Sequence, residues 1–174
     1  MPEFDPFNDR LARDIRNALS EAMVANLPTL DLDPVRQCAA TFSIRELSAA
    51  HRAYIEDRLS RYHNVFALLR KQAEHDPFRQ SLALWDAGLF FEVHEVIERL
   101  WKESQGDQKS ALQAMFRAAG TYVHLEQGNP VAARSMADKA IQGLTSHGAC
   151  LPATFDLAPL ISALQQLTQP PRLG

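Results

Sequence analysis

Glycine is absent from the first 87 residues, and all seven glycines of the 174-residue chain lie between Gly88 and Gly174. Sheet proteins need tight turns with positive φ, which glycine supplies at little steric cost. A chain that runs half its length without one is poorly equipped for hairpins. Alanine and leucine together number 47, against 19 for valine, isoleucine and threonine combined, a bias toward helix formers. The expected fold is all-α, a compact multi-helix bundle of antiparallel helical hairpins with about seven or eight helices.

Prolines mark where those helices start. Asp5-Pro6, Asp33-Pro34, Asp76-Pro77 and Asn129-Pro130 each set a capping oxygen before a proline, which loses nothing at the first helical position. Ser43 with Glu46 and Ser110 with Gln113 read as capping boxes. The spacing predicts helices over Asp5–Leu27, a short stretch after Asp33, Ser43–His75, Pro77–Ala87, Phe90–Ser104, Ala111–Gln127, Pro130–Thr145 and Asp156–Leu167. The short polar loop Gln105–Lys109 makes its flanking helices antiparallel neighbours. Residues 1–42 read as an N-terminal helical extension, 43–168 as the main helical domain, and 169–174, with Pro170-Pro171, as a frayed tail.

Composition excludes several functions. Apolar residues at 46% and charged residues at 22% are the balance of a globular chain. A net charge of −3 offers no basic field to nucleic acid or anionic membrane. Arg58, Arg61, Arg70 and Lys71 are interrupted by Glu56, Asp57 and Glu74, a solvated face rather than a nucleic-acid patch. No apolar run is long enough for a membrane span. Glu3, Asp5, Asp9 and Asp14 replace the basic region of a signal peptide. Cys38 and Cys150 are too few for a disulfide framework. The expected location is cytoplasmic, with neither nucleic acid nor membrane as partner; a second copy of the chain or another protein is the partner class left open.

The centre of the sequence carries a more specific pattern. Ala83-Leu-Trp-Asp-Ala-Gly-Leu-Phe-Phe-Glu-Val-His-Glu-Val-Ile-Glu-Arg-Leu-Trp101, followed by Ala111 to Asn129, resembles the bacterial and archaeal domain of unknown function 309 family, with the family-like core over 82–144. That family pairs a Phe-Glu-x-His-Glu-x-x-Glu-x-x-Trp segment with a helix ending near His-x-x-x-Gly-Asn. The resemblance implies a compact helical domain and no particular activity. It also implies a glutamine one turn before the Gly-Thr pair, where this chain has Arg117.

Within that core, His94-Glu95-Val96-Ile97-Glu98 is the sharpest constellation. His94 and Glu98 are four apart and share a helix face, so they are candidate ligands of one divalent metal. His124 is a candidate third ligand, and Glu95, about 100° round the helix, a candidate base. Glu92, His94, Glu95, Glu98, Arg117 and His124 together form the candidate ligand-binding set. The structural alternative is a buried histidine on the stripe of Phe90, Ile97 and Trp101, hydrogen-bonded to Glu98. Gln113, Arg117, Gly120 and His124 make one polar line on the next helix. There, Gln113 reads as a cap, Arg117 as a partner of Glu98, and Gly120 as room for close packing. An arginine beside a divalent ion is unfavourable, and suits a carboxylate or an anionic ligand instead.

Other chemistries fall away. None of the six histidines has a glutamate three residues earlier, as di-iron bundles require. No glycine-rich phosphate loop is present. His51 and His63 read as packed or capping side chains. Three functions follow: a non-catalytic binding or scaffold module with a small polar pocket, a metal-dependent hydrolase, and a tetratricopeptide-like peptide binder. The last rests on an echo of helix, glycine turn and helix around Gly88 and Gly128, which are 40 apart rather than about 34. The expected core is Trp85, Phe90, Val93, Ile97, Leu100, Trp101, Leu112, Met115, Phe116, Ala119 and Val123.

Overall fold

The computed structural model describes residues 4–174; Glu3, part of the acidic N-terminal stretch, lies outside them. Among the described residues there are eight α-helices, one 3-10 turn and no strand, so the fold is all-α as the glycine-free half requires. The chain divides into two compact units, Met1–His75 and Asp76–Gly174.

The first unit holds α1 (Arg10–Ala25), α2 (Asp33–Ala40) and α3 (Ala49–Gln72). Both of its long helices begin later than expected, for a local chemical reason. Asp5 does not cap a helix; its Oδ1 accepts from the N–H groups of Phe7 and Asn8 in a turn. Asp9 is the real cap of α1, accepting from Leu11 and Ala12 N–H at 2.8 and 3.3 Å. Ser43 and Glu46 lie outside α3, and Ser48 caps it with a box in which His51 takes the glutamate's place. Ser48 Oγ accepts from His51 N–H at 3.2 Å, while His51 Nδ1 accepts from Ser48 N–H at 3.3 Å. The far nitrogen, His51 Nε2, donates to Asp9 Oδ2 at 2.9 Å. One histidine therefore ties together the starts of α1 and α3, the capping role that its position suggested. Cys38 and Cys150 are free thiols.

The missing glycines leave a trace here. Helix α3 ends at Ala73, which adopts φ +51° while Glu74 N–H reaches back to Leu69 O at 3.1 Å. That six-to-one bond is the helix-terminating arrangement that usually places glycine in the left-handed position.

The second unit is a run of hairpins: α4 (Pro77–Asp86), α5 (Phe90–Glu103), α6 (Gly106–Glu126), α7 (Pro130–His147) and α8 (Leu157–Gln166). Each packs against its neighbour in sequence. Asp76, Asn129 and Asp156 cap their helices through the side-chain oxygen. Asp33 does not, since α2 is preceded by Leu32 with no side-chain cap. The echo around the two glycine turns is structural. Gly88 has φ +69° and Gly128 has φ +65°, and each is followed by a residue whose N–H returns to the preceding helix, Leu89 to Leu84 O and Asn129 to His124 O.

The expected loop Gln105–Lys109 is helical from Gly106 onward. Helix α6 starts at Gly106, behind a Gln105 cap that makes no side-chain bond. Ser110 is therefore inside the helix, its Oγ on Gly106 O at 3.5 Å. The tail is not frayed either. Trp85 Nε1–H donates to Pro171 O at 2.8 Å, and Leu173 N–H to Asp86 Oδ1 at 2.8 Å. Leu173 itself is buried.

Helices α6 and α7 approach through small residues. Ala111, Ala114 and Ala118 on one and Ala133, Ala137 and Ala140 on the other are all buried. A Cβ built on Gly143 would stand 2.7 Å from the Cβ of Ala114. On the same pair, a Cβ on Gly120 would stand 2.9 Å from Met136 Cε, so Gly120 gives room for close packing. Of the expected core, Trp85, Phe90, Val93, Ile97, Leu112, Met115 and Ala119 are buried, but Leu100, Trp101, Phe116 and Val123 are only half-buried.

Two substitutions test these backbone arguments. Ala73→Gly relieves the left-handed strain and should stabilise the protein by about 1 kcal/mol in denaturant melts. Gly143→Ala forces two backbone-attached methyls together and should cost about 1–3 kcal/mol. Gly120→Ala meets only the tip of a flexible methionine and gains helix propensity, so it should stay within about 1 kcal/mol of wild type.

Candidate functional site

The amphipathic pattern of α5 decides which of its side chains reach water. Phe90, Val93, Val96 and Ile97 are buried, and Glu92 is completely so. Glu92 lies about 200° round the helix from His94, on the inward side. His94, Glu95 and Glu98 sit at the flank, their side chains 23%, 31% and 32% exposed. One ligand atom from each of these three falls within 4.8 Å of the others. Among the described residues no other group of three or more histidine, cysteine or carboxylate side chains comes as close.

This arrangement differs from both arrangements expected of the segment. The His94–Glu98 hydrogen bond does not form: Glu98 Oε1 pairs with Lys102 Nζ at 3.0 Å, and His94 Nδ1 approaches Glu95 Oε1 at 3.5 Å. The closeness of the His94 ring holds the Glu95 carboxyl below its usual value, more than offsetting the opposing effect of burial. His94 Nδ1 is nonetheless closed to water and falls short of good hydrogen-bond geometry. His94 is clamped by rings: its centroid lies 3.8 Å from that of Phe116 on α6 and 6.1 Å from Phe91. Phe116, expected as core, instead forms one wall of this flank.

His124 does not join the cluster. It lies half-buried near the end of α6, and desolvation lowers its pKa and favours the neutral ring. Arg117 is half-buried, and its guanidinium makes no hydrogen bond or ion pair among the described residues. The expected Arg117–Glu98 pair is therefore replaced by Lys102–Glu98, an i,i+4 pair within one helix. A hydrolase built on His94, Glu98 and His124 needs Glu95 free as base, whereas here Glu95 stands among the ligands and His124 apart from them.

A second feature of this unit had no signal in the sequence. A cavity of about 750 Å³ lies between the turn at Gly88, the end of α6 and the segment 167–172. Trp85, Phe90 and Tyr122 line its inner wall, with Leu125 and Leu167 beside them. The three rings interlock, with centroids 5.0 to 5.3 Å apart and Trp85 edge-on to both others. Asp86, Glu126 and Arg172 stand at the cavity, and Asp86 is already engaged by Leu173 and Gly174 N–H. Sequence reasoning placed Trp85 and Phe90 in the core and left Tyr122 unremarked. Residues 167–172 close the cavity only because the tail docks, and no local pattern encodes that docking.

Tyr122 is the polar member of the wall. Its hydroxyl is shielded from water and has no hydrogen-bond partner, and desolvation pushes its pKa up to about 12. The sign of the linkage follows. Unfolded chains lose the phenolic proton near pH 10 while the folded protein keeps it, so folding stability falls as pH rises from about 10 toward 12. Tyr122→Phe removes that component and leaves no buried donor unsatisfied. It should keep neutral-pH stability within about 1 kcal/mol of wild type and flatten the alkaline decline of the melting temperature. An unchanged alkaline decline would assign it to other groups.

Residues 78–136, from α4 into α7, match the family model described as a domain of unknown function, DUF309. The match covers the Trp85–Trp101 segment and all of α6. Neither the curated proteins nor the solved structures include a match to the chain. No helix among the described residues is long and apolar enough to cross a membrane. The resemblance read from the Trp85–Trp101 segment is thus matched by the family model, and residues 78–136 of this chain are similar to DUF309 domains.

Proposed function

We propose that the domain is a non-catalytic binding module that takes a small, largely apolar organic ligand into the cavity beside Trp85. The observation that carries this reading is the cavity itself. At about 750 Å³ it falls in the size range of small-molecule sites, and aromatic walls with a few polar groups are their usual lining. Trp85, Phe90 and Tyr122 give the cavity a rigid floor with no side-chain entropy to lose, since all three are already packed.

The lining favours binding over catalysis. Thr168 is its one aliphatic hydroxyl, and neither a histidine nor a cysteine is among the lining residues. Asp86 is held in place by two backbone donors from the tail, which positions it structurally. The tail thus doubles as one wall of a half-open cavity, and a ligand lies between it and the rings.

The chain has two tryptophans, Trp85 and Trp101, which makes a direct test available. In Trp101→Phe protein, Trp85 is the sole tryptophan. Titration with the apolar dye 8-anilinonaphthalene-1-sulfonate should give saturable one-to-one energy transfer from Trp85. Leu125→Trp, in the same assay read by dye emission, should weaken it by roughly tenfold by filling the space. Non-saturable binding, or equal binding in the filled variant, would sink the proposal.

A further inference from the structure

We propose that His94, Glu95 and Glu98 form a first-row divalent cation site on the flank of α5, separate from the cavity and sharing no residue with it. Three observations point there. First, the ligand atoms lie within 4.8 Å of one another, and they come from positions i, i+1 and i+4 of one helix, so backbone geometry holds them together without loop ordering. Second, His94 Nδ1 and Glu95 Oε1 are 3.5 Å apart. Two donors about 2.1 Å from a common ion subtend about 110° at that separation, close to the tetrahedral angle. The pair is thus badly spaced for a hydrogen bond and well spaced for an ion between its members. Third, His94 Nδ1 is closed to water and without a hydrogen bond, a polar atom whose burial a metal bond would compensate.

The donor set selects the ion. One imidazole and two carboxylates combine a nitrogen ligand suited to zinc or iron with oxygens suited to manganese. All-oxygen calcium sites are built differently. Three protein ligands leave the remaining positions to water or to the oxygen of another molecule. The rings of Phe116 and Phe91 around His94 fix the imidazole plane before the ion arrives, the orienting task that outer-shell groups perform in established sites.

Two cations compete with the ion. Lys102 pairs with Glu98, and it is 61% exposed, so releasing it to solvent costs little. Arg99, on the next position of the helix, adds positive charge near Glu95. Arg117 is the stronger objection on sequence grounds, because a cation beside a divalent ion is unfavourable. It forms no pair with Glu98, which Lys102 holds instead.

The test uses untagged full-length protein and Mn²⁺ itself, followed by loss of the free-ion electron paramagnetic resonance signal. Wild type should bind one equivalent and gain melting temperature in the presence of the ion. His94→Ala and Glu98→Gln should each weaken binding by roughly tenfold or more, and Lys102→Ala should tighten it severalfold. Glu98→Gln keeps shape and helix, with circular dichroism as the check, so the result stands even if His94→Ala folds poorly. No binding by wild type below about millimolar ion, or equal binding by wild type and Glu98→Gln, would overturn the proposal. Dye binding in the cavity is read independently, so either site stands or falls alone.

Discussion

The second unit depends on how closely α6 and α7 approach. Ala111, Ala114 and Ala118 on α6 and Ala133, Ala137 and Ala140 on α7 are buried, and Gly143 stands where any side chain would strike Ala114. Small residues let two helix backbones come close, and the dispersion contacts between them are then made by main chain and methyl groups. Because α6 is gripped on that side, its other faces are presented in fixed register to α5 and to the tail. Phe116 meets His94 on one of them, and Tyr122 meets Trp85 and Phe90 on another.

That register produces two unlike environments from adjacent turns of sequence. At the flank of α5, three titratable side chains are half-buried and close together, among the charges of Arg99 and Lys102. Around the turn at Gly88, aromatic rings enclose space that the chain itself does not fill. The first is the cation site proposed above, its three side chains carried on one helix. The second is the proposed apolar site, with packed rings at its floor. Gly88 is common to both in origin, since its positive φ lets α4 end and α5 begin within a few residues. It thereby sets Trp85 beside Phe90 and starts the helix that carries His94.

The sequence made the helices legible and their exact starts less so. Asp76, Asn129 and Asp156 act as caps because a side-chain oxygen at that position has one dominant use. Ser43 and Ser110 carried the same signature and cap nothing at a helix start. Ser48 with His51 and a bond-free Gln105 take those roles instead. A histidine can stand in for glutamate in a capping box only when its ring nitrogen is correctly turned, and here the bond from His51 to Asp9 turns it. Such a contact joins residues 42 apart, so local pattern cannot report it. The candidate site was legible in part. The spacing of His94 and Glu98 brought them to one flank, but their partners, Glu95 and Lys102, were decided by rotamers and by the ring of Phe116.

The all-helical class, the succession of glycine-turn hairpins and the match of residues 78–136 to the DUF309 model are properties of the sequence alone. Each rests on short-range chemistry: helix propensity, positive φ at glycine, and side-chain periodicity. Only the tertiary structure decided that His124 stands apart from His94, that Arg117 leaves Glu98 to Lys102, and that residues 169–174 dock rather than fray. Those outcomes depend on which side chains meet across helices and on two carboxylate oxygens of Asp86 finding backbone donors 87 and 88 residues away. A periodicity says which face of a helix is buried, but the partner of that face is chosen by packing.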